Sequence, residues 1–255
     1  MTWNPVQYLK FGGERLRPAQ DLLARVPLDA PARIADLGCG TGTVTALIRA
    51  RWPHAAVTGV DNSAAMLERA RAAVQGVEWQ VADLARWTPA APFDLIVSNA
   101  ALHWVDAHDA LFPRLVDALA PGGVLAVQMP AQHDAPSHQI AFSLASADPW
   151  QGTLAPLVRR RPILAPADYF QLLQPRTRHL DLWTTEYLQV LTGDNPVAEF
   201  TKGSFVGVWL AALSDDDAAA FEREYRARIA AAYPPRTDGT TLFPFRRFFL
   251  LAQRG

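Results

Sequence analysis

The chain has 255 residues, half of them hydrophobic, with a mean hydropathy of zero and a formal net charge of −1. That length supports a full hydrophobic core, and the balance excludes a disordered chain and gives no electrostatic case for nucleic acid or an acidic membrane. Single Cys39 excludes an internal disulfide and a cysteine-rich zinc site, and no run of eighteen apolar residues or N-terminal leader pattern occurs. A cytoplasmic setting is the default expectation.

In chain order, residues 1–30 read as an N-terminal helical segment. Leu16, Leu22, Leu23 and Val26 are its apolar positions, and Tyr8, Phe11 and Arg15 share one helix face. The apolar run Ile34-Ala35-Asp36-Leu37 then enters the turn Gly38-Cys39-Gly40-Thr41-Gly42. Val44, Leu47, Ile48 and Trp52 follow at helical spacing, so the turn opens onto an amphipathic helix. Alternate glycines let backbone approach a ligand closely. A second β-type run, Val57-Thr58-Gly59-Val60, ends in Asp61, placed to accept hydrogen bonds from ribose hydroxyls. These features predict a nucleoside cofactor. A nicotinamide dinucleotide is disfavoured, because the spacing is G-x-G-x-G and Asp36 would repel a pyrophosphate.

Val77, Trp79 and Val81 alternate as a third strand leading to Asp83-Leu84, and Phe93–Asn99 reads as a fourth, continuing into Ala100-Ala101-Leu102-His103-Trp104. A helix with Leu111, Phe112, Leu115, Val116 and Leu119 on one face comes next. The turn Pro121-Gly122-Gly123 then leads to a fifth strand, Val124–Met129. Six prolines between 136 and 175 exclude one long helix there and predict a loop with short helices, including Ala167–Leu173. Leu180–Leu188 reads as strand six and Phe248–Ala252 as strand seven. Between them Phe200, Phe205, Trp209 and Leu213, then Phe221, Tyr225, Ile229 and Tyr233, mark a helical stretch over 195–235. Such an insertion would overhang the cofactor end of the sheet as a lid, with a packing or dimerisation layer as the alternative.

The sequence therefore predicts an α/β fold: a Rossmann-like, seven-stranded, mostly parallel sheet with helices on both faces and a helical cap. Its expected divisions are an N-terminal segment 1–30, a cofactor-binding core 31–130, and 131–255 carrying the remaining strands and a cap insertion at about 195–238. No metal spacing and no G-x-S-x-G elbow occur, so neither a metal centre nor a hydrolase triad is expected.

Asp36, Gly38, Gly40 and Gly42 match the first motif of class I S-adenosylmethionine-dependent methyltransferases, which the chain resembles. The segments Trp3–Phe11, Glu14-Arg15, Arg17-Pro18, Asp21–Leu28, Gln128-Met129-Pro130, Pro136-Ser137-His138, Trp183-Thr184-Thr185 and Arg247 make it similar to the trans-aconitate 2-methyltransferase family over nearly its whole length. The resemblance implies S-adenosylmethionine as cofactor and S-adenosylhomocysteine as product. The cofactor residues would be Tyr8, Phe11, Arg15, Asp36, Gly38, Gly40, Gly42, Asp61, Asn62, Met66, Asp83, Leu84, Asn99 and Trp104. It also implies a small carboxylic acid as methyl acceptor, held by Tyr8, His138, Tyr187, Lys202 and Arg247, with Arg15 and Arg246 as further cations to weigh. A carboxylate is ionised at pH 7, so no catalytic acid or base is expected. The chain departs from the family at Ser204-Phe205-Val206-Gly207-Val208, where Gly207 stands for an arginine and Phe205 for a glycine. A different small or thioester-linked acid, or a cofactor-binding protein without turnover, are the competing expectations.

Overall fold

The computed structural model describes residues 12–158 and 163–255, and side chains from residue 16 onward outside the 159–162 interval. Helix α1 (Gly12–Ala24) leads to strand β1 (Arg33–Leu37), α2 (Thr43–Arg51), β2 (Ala56–Asp61), α3 (Ala64–Ala73) and β3 (Val77–Val81). Then come β4 (Phe93–Asn99), a 3₁₀ turn at Leu102–Trp104, α4 (His108–Asp117) and β5 (Leu119–Pro130). Beyond β5 lie α5 (Pro136–Ala145), α6 (Gln151–Leu154), α7 (Pro166–Leu173) and β6 (Thr177–Thr192). The chain closes with α8 (Pro196–Thr201), a π-helical turn at Lys202–Val206, α9 (Gly207–Leu210), α10 (Asp215–Ala232) and β7 (Thr240–Arg254).

The seven strands form one sheet in the order β3-β2-β1-β4-β5-β7-β6. The contacts β1–β2, β1–β4, β2–β3 and β4–β5 are parallel, and β5–β7 is antiparallel. The central strands are apolar almost throughout because helices cover both of their faces, the usual condition of parallel sheet. At the β3 edge the cover fails, and Val81 is 57% exposed. Two caps have clear chemistry: Ser63 Oγ accepts from the Met66 amide at the start of α3, and Ser214 Oγ accepts from the Asp217 amide at the start of α10.

Three expectations need correction. Leu119 is buried but opens β5 rather than closing the helix, since α4 ends at Asp117 and Leu119 pairs with Phe93. Pro121-Gly122-Gly123 is no separate turn; it is an irregularity within β5, where the register shifts between Phe93 and Leu95 and Gly122 takes φ of +77°. Strands β6 and β7 run well beyond the expected segments, so Arg247 lies inside β7 instead of preceding it.

Two compact units divide the chain. One comprises 16–130, 162–185 and 247–255, and the other 1–15, 131–161 and 186–246. The first holds the parallel strands and their helices. The second has its own core, in which Phe142, Phe200, Trp209, Phe221, Tyr225, Phe243 and Phe245 are buried together. Its aromatic rings meet mostly edge-on or tilted, as in Trp150–Phe221 and Phe200–Phe243 at 5.3 Å between centroids. No helix of the described residues is long and apolar enough to cross a membrane.

Candidate cofactor and acceptor site

The glycine turn is held by β2. The amides of Gly38 and Cys39 donate to the Val60 carbonyl at 2.8 and 3.1 Å, and Gly42 N–H donates to Cys39 O at 2.9 Å. Asp61, at the end of β2, accepts from Gly40 N–H through Oδ2 and from Ser63 N–H through Oδ1, both at 2.9 Å. One carboxylate thus ties the turn to the start of α3, with lone pairs left on both oxygens for further donors. Gly38 has φ of +76°, and a Cβ there would lie 2.1 Å from that of Ala101, so the turn receives the segment after β4 at its bare backbone. At Gly40 nothing stands within 4 Å of where a Cβ would be.

Asp36 is buried beneath this turn and accepts from Thr45 Oγ1 at 2.6 Å. Burial pushes its carboxyl up to about 7; the Thr45 bond opposes that shift and the charge of Asp61 adds to it. Burial, then the charges of Asp36 and Asp61, raise the Cys39 thiol as well, so it stays protonated and unreactive.

Asp83 and Leu84 follow the end of the third strand. Asp83 is exposed and accepts from Ala85 N–H at 2.9 Å, and the Leu84 carbonyl accepts from the Arg114 guanidinium at 3.1 Å. Asn62 is exposed and Met66 half-buried, at the N-terminal end of α3. At the end of β4, Asn99 keeps a buried Oδ1 with no hydrogen-bond partner among the described residues, and Trp104 is 52% exposed. The turn between them is held under strain. Ala100 and Ala107, on either side of it, take φ of +52° and +53°, unusual for residues with a Cβ. Behind it, buried His108 joins Tyr169 Oη through Nδ1 at 2.5 Å and the Leu102 carbonyl through Nε2 at 2.9 Å. Since a carbonyl only accepts, Nε2 carries the proton and Nδ1 accepts from the tyrosine. Tyr169 is stacked on Phe248 at 5.2 Å.

This geometry suits S-adenosylmethionine. Asp61 and Asn99 keep acceptor lone pairs, Asp36 is a buried acid, and open space lies before Gly40. Among the described residues no group of three His, Cys, Asp or Glu could hold a metal ion.

The acceptor residues expected from the sequence fall in both units. His138, Tyr187 and Lys202 belong to the unit 131–161 and 186–246, and Arg247 to the other. His138 stacks on Phe205 at 4.3 Å, and burial lowers its imidazole to about 3, with His133 adding to the shift, so it is neutral. Tyr187 is buried. Lys202 is already engaged: its Nζ lies 2.6 Å from Glu222 Oε1. Arg247 is buried at 5% exposure, whereas its neighbour Arg246 is exposed beside Glu186, as strand alternation requires. Tyr8 and Phe11 lie outside the described residues, as does the Arg15 side chain.

Several residues of the site escaped the sequence reading. Thr45, His108 and Tyr169 act through other residues and carry no motif.

A methyltransferase-domain family model matches residues 34–123. The fold is shared with the YcgJ protein of Bacillus subtilis (TM-score 0.59, 12% identity, 93% of this chain and 98% of that one). It is also shared with a Haemonchus contortus phosphoethanolamine methyltransferase solved with phosphomonomethylethanolamine and S-adenosylhomocysteine (TM-score 0.54, 16% identity, 94% of this chain and 53% of that one). Fold and site define a class I S-adenosylmethionine-dependent methyltransferase. The similarity then narrows. The trans-aconitate 2-methyltransferase of an Azoarcus strain is 49% identical over 99% of both chains, and that of Streptomyces coelicolor is 47% identical over 99% of this chain and 87% of its own. The chain belongs to the trans-aconitate 2-methyltransferase family.

Proposed function

We propose that the protein esterifies one carboxylate of trans-aconitate. The observation that carries this reading is full-length identity of 43–49% to relatives of that name, on a chain whose cofactor turn is intact. S-adenosylmethionine supplies an electrophilic methyl group: the carboxylate oxygen bonds to it as the carbon–sulfur bond breaks, giving a methyl ester and S-adenosylhomocysteine. No proton moves, because the attacking group is already ionised. The chain's task is to align the reactants and exclude water. In this reading Asp61 binds the ribose, Asp83 and Leu84 the adenine, and Asp36, Asn99 and Trp104 flank the methionine portion. Asn62 and Met66, with Tyr8, Phe11 and Arg15, are further cofactor-binding residues. Arg247 holds an acceptor carboxylate, which a guanidinium does best by paired hydrogen bonds, with His138, Tyr187 and Tyr8 as neutral donors. A cytoplasmic setting belongs to the same proposal.

One observation favours a second acceptor, an acid with fewer charges. Lys202 is neutralised by Glu222, and a Cβ at Gly207 would lie 2.4 Å from the Lys202 carbonyl oxygen, so the π-helical turn leaves no room for a side chain at that position. Initial rates with methyl-labelled cofactor across mono-, di- and tricarboxylic acids separate the two. Trans-aconitate as the best acceptor supports the first; a smaller or thioester-linked acid supports the second. Cofactor binding without transfer to any acid refutes both.

A further inference from the structure

Gln128 has no role in anything derived above, yet it is the most anomalous polar residue of the sheet. It is 0% exposed, and neither Nε2 nor Oε1 has a hydrogen-bond partner among the described residues. A buried amide left unsatisfied destabilises a protein, so one that persists in a central strand calls for an explanation outside folding.

Register supplies the explanation. On the parallel side Gln128 stands level with Asn99 of β4, and on the antiparallel side level with Phe249 of β7. Arg247 pairs with Pro130, two residues further along the same face. Asn99, Gln128 and Arg247 therefore share one face at the carboxyl ends of β4 and β5. Strand order separates the tasks. The turn after β1, Asp61 at the end of β2 and Asp83 after β3 assign the cofactor to the β3-β2-β1-β4 side. Gln128 lies one strand past Asn99, towards Arg247.

We propose that Gln128 is an acceptor-binding residue: Nε2–H donates to a carboxylate of the methyl acceptor, beside the Arg247 guanidinium, and sets which oxygen faces the methyl group. This rests on the carboxyl-methyl-transfer reading. A neutral amide suits the place, since it donates to an oxygen that must keep its negative charge to attack, whereas a second cation there would lower its nucleophilicity.

The test uses Gln128→Met, which keeps the length and removes both amide atoms, with Gln128→Glu as a second variant that keeps the shape and presents a carboxylate. Thermal unfolding, titration of S-adenosylmethionine, titration of trans-aconitate into the S-adenosylhomocysteine complex, and turnover are measured for each. For Gln128→Met we expect Tm equal to or above that of the wild type and cofactor affinity within about twofold. Acid binding should weaken about 10- to 100-fold, the loss expected for a hydrogen bond to a charged group, with KM rising in parallel. Gln128→Glu should weaken acid binding further by like-charge repulsion. Unchanged acid binding in either folded variant overturns the proposal, as does a loss confined to the cofactor or a fall in Tm that accompanies all other losses. Wild-type protein that binds the acid but never methylates it refutes the function and leaves Gln128 as a binding residue. Wild-type protein that does neither overturns both.

Discussion

The two units of this chain keep their polar groups in opposite ways. In the unit built on the parallel strands, the glycine turn is organised by backbone amides: those of Gly40 and Ser63 converge on Asp61, and those of Gly38 and Cys39 on the Val60 carbonyl. In the unit of 131–161 and 186–246, polarity belongs to side chains and is matched internally. Arg226 is paired with both Asp194 and Glu199, Lys202 with Glu222, Arg228 with Glu224 and Arg246 with Glu186, around an aromatic core. Backbone groups cannot be altered by substitution, so a backbone-built site stays constant while its cofactor does. A side-chain-built surface can be retuned one residue at a time. The difference teaches that the glycine turn tolerates few changes, whereas the ion pairs of the second region can be exchanged one at a time.

The sharpest way to break this contrast is at Gly38. Gly38→Val places a branched side chain at positive φ against Ala101. Strain and overpacking together should destabilise the fold by about 3–5 kcal/mol, read by urea unfolding, and abolish cofactor binding. Arg247→Leu comes next. A carboxylate left without its cation should cost about 2–5 kcal/mol in acid binding, seen as a raised KM with cofactor affinity retained; Arg246→Leu, at an exposed site, should change either by less than about 0.5 kcal/mol. Asp61→Ala should weaken S-adenosylmethionine by about 1.5–3 kcal/mol in calorimetric titration.

The effect of pH on Asp36 sharpens the contrast further. Its folded value near 7 stands above the ordinary 3.8, so the protein without cofactor loses stability as pH rises from about 4 towards 7. A cationic ligand favours the ionised carboxylate, so its affinity should climb with pH through neutrality, by roughly tenfold between pH 6 and 8. Asp36→Asn should flatten that profile. The smallest effect is expected for Tyr169→Phe, which keeps the ring stack on Phe248 but removes the hydroxyl that donates to His108. The loss of stability should be about 0.5–1.5 kcal/mol, with kcat falling more than cofactor affinity if the Leu102–Trp104 turn is displaced.

The same contrast explains what could be read in advance. The order of strands and helices through β5 was legible because apolar runs, glycines and strand-end acids lie close together in sequence, and the turn they build is local. Leu119 misled because a helical period continued by chance across a helix end into a strand. The lengths of β6 and β7 were hidden because alternation fades where both faces are half-covered, as along Thr177–Thr185. Asp36 was visible as an acid, but its upward shift comes from burial, opposed by the hydroxyl of Thr45, nine residues on, and both need α2 packed on β1. Lys202 looked available in sequence, and its engagement by Glu222 needs the fold of α8 to α10. Gln128 gave a signal of polarity in an apolar run, but only the register with Asn99 and Arg247 gives it a meaning.

The central claim is that methyl groups pass from the cofactor to a carboxylate oxygen. It is tested most directly by incubating the protein with carbon-13-methyl S-adenosylmethionine and trans-aconitate and following the labelled methyl by NMR. The account predicts a methyl-ester signal on the acid that grows in equal amount with S-adenosylhomocysteine and disappears in Asp61→Ala at limiting cofactor. S-adenosylmethionine bound tightly by the protein, with no labelled ester formed on trans-aconitate or on any smaller acid, would contradict it.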